Sequence, residues 1–357
     1  MLGWLMVAAT ILPFVRSDHW AIRVFDFPRL QITVVFCVTV ALHWLVREDP
    51  TRAEQAFLLV LSSCLVYQVW RMWPYTPLHP KQVQRSERED DDRSLSLLIS
   101  NVLMTNRDCG RLRELIRRRD PDMILLVEAD GRWEQQLREF ERTHPYLVKH
   151  AQSNTYGMLL YSRVPLIEPQ VKFLVQDDVP SIHADIELRS GDRISLHCLH
   201  PRPPAPGESK LSTPRDAELL LMAKELEGRD VPSIVVGDMN DVAWSHTTGL
   251  FLKISGLLDP RIGRGFYSTF NANWPFIRFP LDHAFVSRHF RLAGFEVLPH
   301  VGSDHFPVFA RLSLSPGSKD TSNRSPPGPT AADEQEAAEK IARADTPAHQ
   351  ADDSARQ

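Results

Sequence analysis

The sequence is short of cysteine, of surplus positive charge and of any repeated unit, and each shortage closes off a class of protein. Four cysteines occur in 357 residues, Cys37, Cys64, Cys109 and Cys198, and none stands in a CxxC spacing. That argues against a local zinc knuckle or redox pair and leaves all four as packing residues. The 41 basic and 45 acidic residues leave a net charge of −4, without the basic excess that marks a nucleic-acid footprint, so charge neither demands nor excludes DNA. No self-similarity at a fixed period suggests a solenoid or an array. The last segment, Ser315 to Gln357, has scarcely a large apolar residue. It is expected to be a disordered tail, because it cannot bury enough surface to offset the entropy of ordering.

What is present at the start is apolar. Three uncharged runs, Leu2 to Val15, Leu30 to Val46 and Ala56 to Trp70, fall at or slightly below the roughly 17 to 25 residues that span a bilayer. No basic region precedes Leu2 and no small-residue cleavage site follows, which argues against a cleaved signal peptide. Trp4, Trp20, Trp44, Trp70 and Trp73 sit near the run ends, where amphipathic rings meet headgroups. Residues 1–73 are therefore expected to form a membrane anchor of about three transmembrane helices. Three spans would put the Arg16 to Arg29 loop and everything after Trp73 on one side. Arg16, Arg23, Arg29, Arg71, Lys81, Arg85 and Arg88 on that side outweigh Arg47 and Arg52 on the other, which favours the cytoplasm. Pro13 in the short first run leaves open whether that run crosses or lies in the interface.

Residues 74–93, rich in proline and charge, read as a linker lifting the next part off the membrane. Residues 94–314 then alternate short apolar runs with helical patterns. Strands are expected at Leu95 to Leu103, Met123 to Val127, Met158 to Tyr161, Ala184 to Leu188, Ile194 to His200, Ser233 to Val236, His283 to Val286 and Val308 to Leu312. Helices are expected at Cys109 to Arg119, after an Asp130 N-cap as far as about Arg142, and at Pro214 to Glu227, the clearest amphipathic pattern. The sum is an α/β sandwich, sheets with helices packed outside.

Polar residues collect where these apolar strands end, which is where α/β folds build sites. Asn101 and Glu128 each follow a buried-looking strand; each is also an ordinary turn or cap residue. In GDMND, Asp238 and Asn240 are spaced by two just past Ile234 to Val236, so an extended chain would direct both to one place. A plain turn uses the same residue types. Asp282 opens an apolar strand, and Asp304 with His305 follows one in GSDHFPV. A histidine beside a carboxylate has its tautomer fixed and keeps its proton near neutral pH. His200 ends an apolar strand before PRPP, whereas His197 faces the other side of that strand and is read as structural. Carboxylates and imidazoles of this kind suit metal-assisted attack of water on a phosphate ester.

Asn101, Glu128, GMLLYSR (Gly157 to Arg163), His200, GDMND, LDHAFVS (Leu281 to Ser287) and GSDH stand in an order that resembles the endonuclease/exonuclease/phosphatase superfamily over about Leu95 to Leu314. The resemblance implies a four-layered, DNase I-like α/β sandwich. It implies that Glu128, with Asn101 and Asp304, holds Mg²⁺ or Mn²⁺ and that Asp238 orients or deprotonates the attacking water. Asn240 would position that water or the phosphate, His305, held by Asp282, would donate to a phosphoryl oxygen, and His200 would serve the leaving side. Two departures stand out: His283 occupies a position where the family often has an aromatic residue, and no catalytic tyrosine aligns, with Tyr156 and Tyr161 both near.

HPRPPAPG (His200 to Gly207), GFYSTF (Gly265 to Phe270) and the aromatic run Trp274 to Phe279 resemble the bacterial membrane-anchored branch of this superfamily. The expected substrate is then a lipid-linked or headgroup phosphate, and the expected site the inner membrane. The cell-wall-linked relatives of that branch suggest its outer side, against the arginine count, so the side stays open. A membrane-tethered nuclease on DNA or RNA and a catalytically silent scaffold are the alternatives. No protein partner and no oligomeric state can be inferred.

Overall fold

A computed structural model describes residues 2–15, 17–46, 51–86, 92–315 and 323–344 of the chain. Its centre is a pair of sheets. The first orders β10 (Phe290–Val297), β11 (Val308–Leu314), β1 (Ser94–Asn101), β2 (Met123–Val127), β4 (Met158–Ser162) and β3 (Tyr146–His150). The second orders β5 (Leu166–Lys172), β6 (Ser181–Glu187), β7 (Arg193–Leu199), β8 (Ser233–Asp238) and β9 (Asp282–Val286). One apolar cluster joins them face to face, with Leu95, Leu97 and Ile99 of β1 and Ile194, Leu196 and Cys198 of β7 among its members. Side chains alternate along a strand, so Leu98 and Leu126 point the other way, onto α5 (Gly110–Arg119) and α6 (Gly131–Gln136). On the far face Leu199, Val235 and Phe285 pack on α7 (Thr213–Leu226) and α8 (His246–Ser255). Helix, sheet, sheet and helix make four layers. The Asp130 side chain caps α6 through the Trp133 N–H at 2.9 Å, as its sequence position leads one to expect.

Two pairings are parallel, β1 with β2 and β7 with β8, and each crosses over through a helix, α5 and α7. Register then aligns the strand ends: Asn101 pairs with Val127, Leu199 with Gly237, and Asp238 with Asp282. Gly237 makes the second alignment possible. Its φ is 142° and a Cβ there would lie 1.9 Å from the Leu199 carbonyl oxygen, a position that only glycine fills.

Four expectations change. The first apolar run forms only α1 (Leu2–Ile11) and a short 3₁₀ turn holding Pro13. Ten residues reach about 15 Å, half a bilayer. Among the described residues two stretches, not three, are long and apolar enough to cross a membrane: α3 (Arg29–Val46) and Arg52–Tyr75, which contains α4 (Arg52–Met72). The one-turn α2 (Trp20–Arg23) lies between α1 and α3. Second, the described part of the 74–93 segment packs on the sandwich and does not stand off it: Tyr75 and Val83 are buried, and the Gln82 side chain accepts the Asp259 N–H at 2.8 Å. Third, α7 is buried nearly all round, and two of its buried charges find partners: Arg215 donates to the Asn240 carbonyl and Asp216 meets Lys340 at 2.7 Å. Fourth, within the stretch expected to be disordered, α9 (Ala331–Ala344) forms and docks on α7. Thr330 and Asp333 cap it reciprocally, and Lys340 reaches both Asp216 and Asp18. Arg16, Arg47 and Arg88 lie outside the described residues.

The N-terminal helices are joined to the sandwich by a small aromatic core. Tyr75, Trp244, Phe279 and Leu281 pack with Phe27 and Phe270. The Trp244 indole N–H donates to the Asp26 carbonyl at 2.8 Å, and the Tyr75 hydroxyl to the Ala243 carbonyl at 2.5 Å.

Candidate active site

The strand-end residues meet at one locus. The Asn101 amide nitrogen donates to Glu128 Oε1 at 2.7 Å and to Asp238 Oδ2 at 3.0 Å, and its oxygen accepts the Leu103 N–H. His305 Nδ1 meets Asp282 Oδ2 at 2.8 Å, while its Nε2 faces Asp238 Oδ2 at 3.5 Å. His200 Nε2 lies 3.9 Å from the same oxygen. Asp238, Asp282, His200 and His305 are buried. Asn240 takes a left-handed turn, φ 50°, that returns its N–H to Asp238 Oδ1 at 3.0 Å, while its side-chain amide donates to the Pro201 carbonyl. Glu128 is also left-handed, φ 57°. Such backbone is uncommon for residues with a Cβ and gathers at functional sites. Asp304 stands at the rim, half-buried, its carbonyl accepting the Ala272 N–H at 2.6 Å.

The charges push on one another. Burial, with the Asp238 and Asp304 charges adding, raises the Glu128 carboxyl to about 7 against the Asn101 hydrogen bond. Burial also raises Asp238, opposed by the His305 charge. For His305 burial alone would lower the imidazole, yet the Asp238 and Asp282 carboxylates outweigh it and push it up to about 10. Burial holds His200 down at about 4. At neutral pH His305 therefore carries a proton and His200 is a neutral imidazole with an unpartnered Nδ1.

Supporting residues had weaker sequence signals. Thr269 Oγ1 accepts the Asp282 N–H at 3.3 Å. Asp241, last in GDMND, accepts from Thr248 and Ser245 and lies 3.3 Å from Arg215, which fixes the loop carrying Asn240. Only the Gly-Asp-x-Asn-Asp pattern hinted at it. His283 bonds Arg261 and the Asp241 carbonyl, at 2.6 and 2.8 Å, and is structural. Of the two tyrosines, Tyr156 is at the site, its ring 5.6 Å from that of His200 and its hydroxyl on Glu208 at 2.6 Å. Tyr161 faces the α5 side.

Asp238, Asp282 and His305 offer ligand atoms within 4.8 Å of one another and could hold a metal ion. His183, His197 and Glu225 form a second such group. There the two Nδ1 atoms bond each other at 2.8 Å and the Nε2 atoms bond Ser181 and Ser195, so every ring nitrogen is already engaged. His197 is structural, as its strand face predicts.

The sequence profile of the endonuclease/exonuclease/phosphatase family matches residues 99–305, more than half of the chain. The chain belongs to that family. Solved structures agree on the fold. An endonuclease/exonuclease/phosphatase from Beutenbergia cavernae DSM 12333 is 16% identical with a TM-score of 0.50, covering 62% of this chain and 72% of that one. D. rerio TDP2 complexed with single-strand DNA product is 18% identical, TM-score 0.51, covering 62% and 99%. The human Nocturnin catalytic domain with bound sulfate is 16% identical, TM-score 0.50, covering 68% and 99%. No curated protein matches the chain. A family fold carrying a buried Asp–His cluster points to a metal-dependent phosphoesterase.

Proposed function

We propose that this chain is a membrane-anchored phosphoesterase that uses Mg²⁺ or Mn²⁺ and acts on a lipid-linked or headgroup phosphate. The observation that carries the reading is the meeting of Asn101, Glu128, Asp238, Asp282 and His305 at one buried locus, at the ends of strands from both sheets. A hard divalent cation fits that donor set. Glu128 is forced up to about 7 by burial, with the Asp238 and Asp304 carboxylates adding, a cost that a cation relieves. Because His305 Nδ1 is already engaged by Asp282, the cation is assigned to the Glu128 side, with Asp304 and Asn101 completing the set. When bound it would offset charge on the phosphoryl oxygens.

The remaining work falls to the chain itself. Asp238 accepts a proton from the attacking water, with Asn101 holding one of its oxygens and the Asn240 N–H the other. Protonated His305, oriented by Asp282, donates from Nε2 to a phosphoryl oxygen, and Asn240 positions the phosphate. His200, neutral and beside Asp238, offers a hydrogen bond on the leaving side. Such preorganised donors are worth most in a water-poor site.

The anchor rests on α3 and α4, whose apolar windows are only 22% buried; a core helix of a soluble domain would hide far more. The Trp20 N–H bonds the Lys210 carbonyl and Asp26 bonds Trp244, which favours a hairpin of two spans with the α1–α3 loop on the catalytic side. We place it in the inner membrane. Reporter fusions after Arg93 assign the side.

DNA or RNA is the second reading, favoured by the TDP2 relative with its DNA product. A panel of DNA, RNA, phospholipid and polyprenyl phosphate, with Mg²⁺ or Mn²⁺ and with EDTA, separates the two. Hydrolysis of lipid phosphates lost with EDTA and in Asp238→Asn protein supports the first; plasmid nicking supports the second. Inertness toward all of them leaves the silent scaffold.

A further inference from the structure

The loop that flanks the site leaves large apolar side chains in the open. Between Phe270 and Phe279, which are bridged through their main chains, Trp274, Phe276 and Ile277 are 62%, 84% and 49% exposed. Exposed loop tips ordinarily carry small or polar residues. The loop's position indicates what covers these. The Gln31 side chain, in the first turn of α3, donates to the Phe276 carbonyl at 3.0 Å, so the tip lies beside the end where the apolar run of α3 begins. Val34 and Val38, one and two turns further on, are themselves exposed. The inward side of the same loop is the site: the Ala272 N–H holds the Asp304 carbonyl, and the Phe270 ring lies 4.9 Å from the His305 imidazole.

We propose that Trp274, Phe276 and Ile277 form a wedge seated in the interfacial layer of a phospholipid bilayer, and that this seat presents the Asp238–His305 site to phosphate esters held in that layer. Aromatic rings favour the headgroup level, and an apolar patch continuous with a membrane helix extends the surface that lipid covers. The inference rests on α3 being a membrane span and adds a route for the substrate. The ester enters sideways from the lipid surface with its tail still in the bilayer.

The test uses the full chain in phosphatidylcholine/phosphatidylglycerol nanodiscs. A nitroxide is attached at Phe276→Cys, in a background carrying Cys37→Ser and Cys64→Ser, and a control label at Arg111→Cys on α5. The label at 276 is expected to be relaxed more strongly by oxygen than by an aqueous nickel chelate, and the control label the reverse. Water-like accessibility at 276 overturns the wedge whatever the enzyme hydrolyses. In a second arm, the Trp274→Ser/Phe276→Ser double variant is assayed on phosphatidylglycerol and a polyprenyl phosphate in the disc and on bis(p-nitrophenyl) phosphate in water. A rise of at least about tenfold in KM for a disc-borne ester, with kcat/KM on the soluble ester within about twofold, is expected. Equal loss on both, or no loss on either, overturns sideways entry. Wild-type protein inert on all three defeats the phosphoesterase reading, and the label then decides the wedge alone.

Discussion

Asp282 orients His305: its carboxylate sits 2.8 Å from His305 Nδ1 and, with Asp238, pushes that imidazole up to about 10. Removing its charge in Asp282→Asn lowers the imidazolium pKa, so the proton leaves at lower pH. The alkaline limb of kcat/KM is expected to move toward acid, with activity at pH 7 down about 10²- to 10³-fold; a pH–rate profile and the His305 NMR titration check it. A second titration belongs to stability. Glu218 on α7 is buried, its Oε1 has no partner, and burial raises its carboxyl to about 8. The folded state thus holds this proton more tightly than the unfolded chain, whose value is near 4.5. That stabilisation is complete below about 4.5 and lost as pH rises through about 8. Glu218→Gln keeps the shape without the charge. The Tm advantage of the variant is expected to grow from near zero at about pH 5 to several degrees at about pH 8.5.

Elements differ in how plainly the sequence announces them. The central strands β1, β2, β4 and β8 are buried throughout, and each is built on a short apolar run. β3, β5 and β10 were not expected, and all three are sheet edges. Tyr146 to His150 is at best half-buried, and β5 and β10 each carry an irregular register, so none shows the apolar run or the clean alternation that signals a strand. Helix α8 and helix α9 did carry end signals: Ser245 caps Thr248, Gly256 closes α8 in the left-handed region, and Thr330 with Asp333 forms a box at α9. A composition poor in large apolar residues masked the last, because α9 docks through Ala337 and through ion pairs. At the site, Asp238, His200 and Asp282 were legible as strand ends, whereas their meeting depends on register. Gly237→Ala tests that register. A Cβ 1.9 Å from the Leu199 carbonyl is expected to push β7 from β8 and destabilise the protein by more than about 3 kcal/mol, read as a Tm loss larger than that of the active-site variants.

At the scale of the whole molecule, the N-terminal helices and the sandwich behave as one packed object. Trp244 joins them, edge-on to Tyr75 and Phe266 and bonded to the Asp26 carbonyl. Trp244→Ala is expected to cost about 3 to 5 kcal/mol and to loosen the N-terminal helices from the site, seen as faster proteolysis between residues 74 and 93 in the full chain. Most of this union was hidden in the sequence, because Phe27, Tyr75, Trp244 and Phe279 are far apart in the chain and belong to no shared period.

Lys340 grips Asp216 and Asp18 together, so a residue synthesised after both completes their contact. The N-terminal helices are therefore made while this clasp is still undone. A product cut short before α9 would leave Asp18 and Asp216 facing an empty seat.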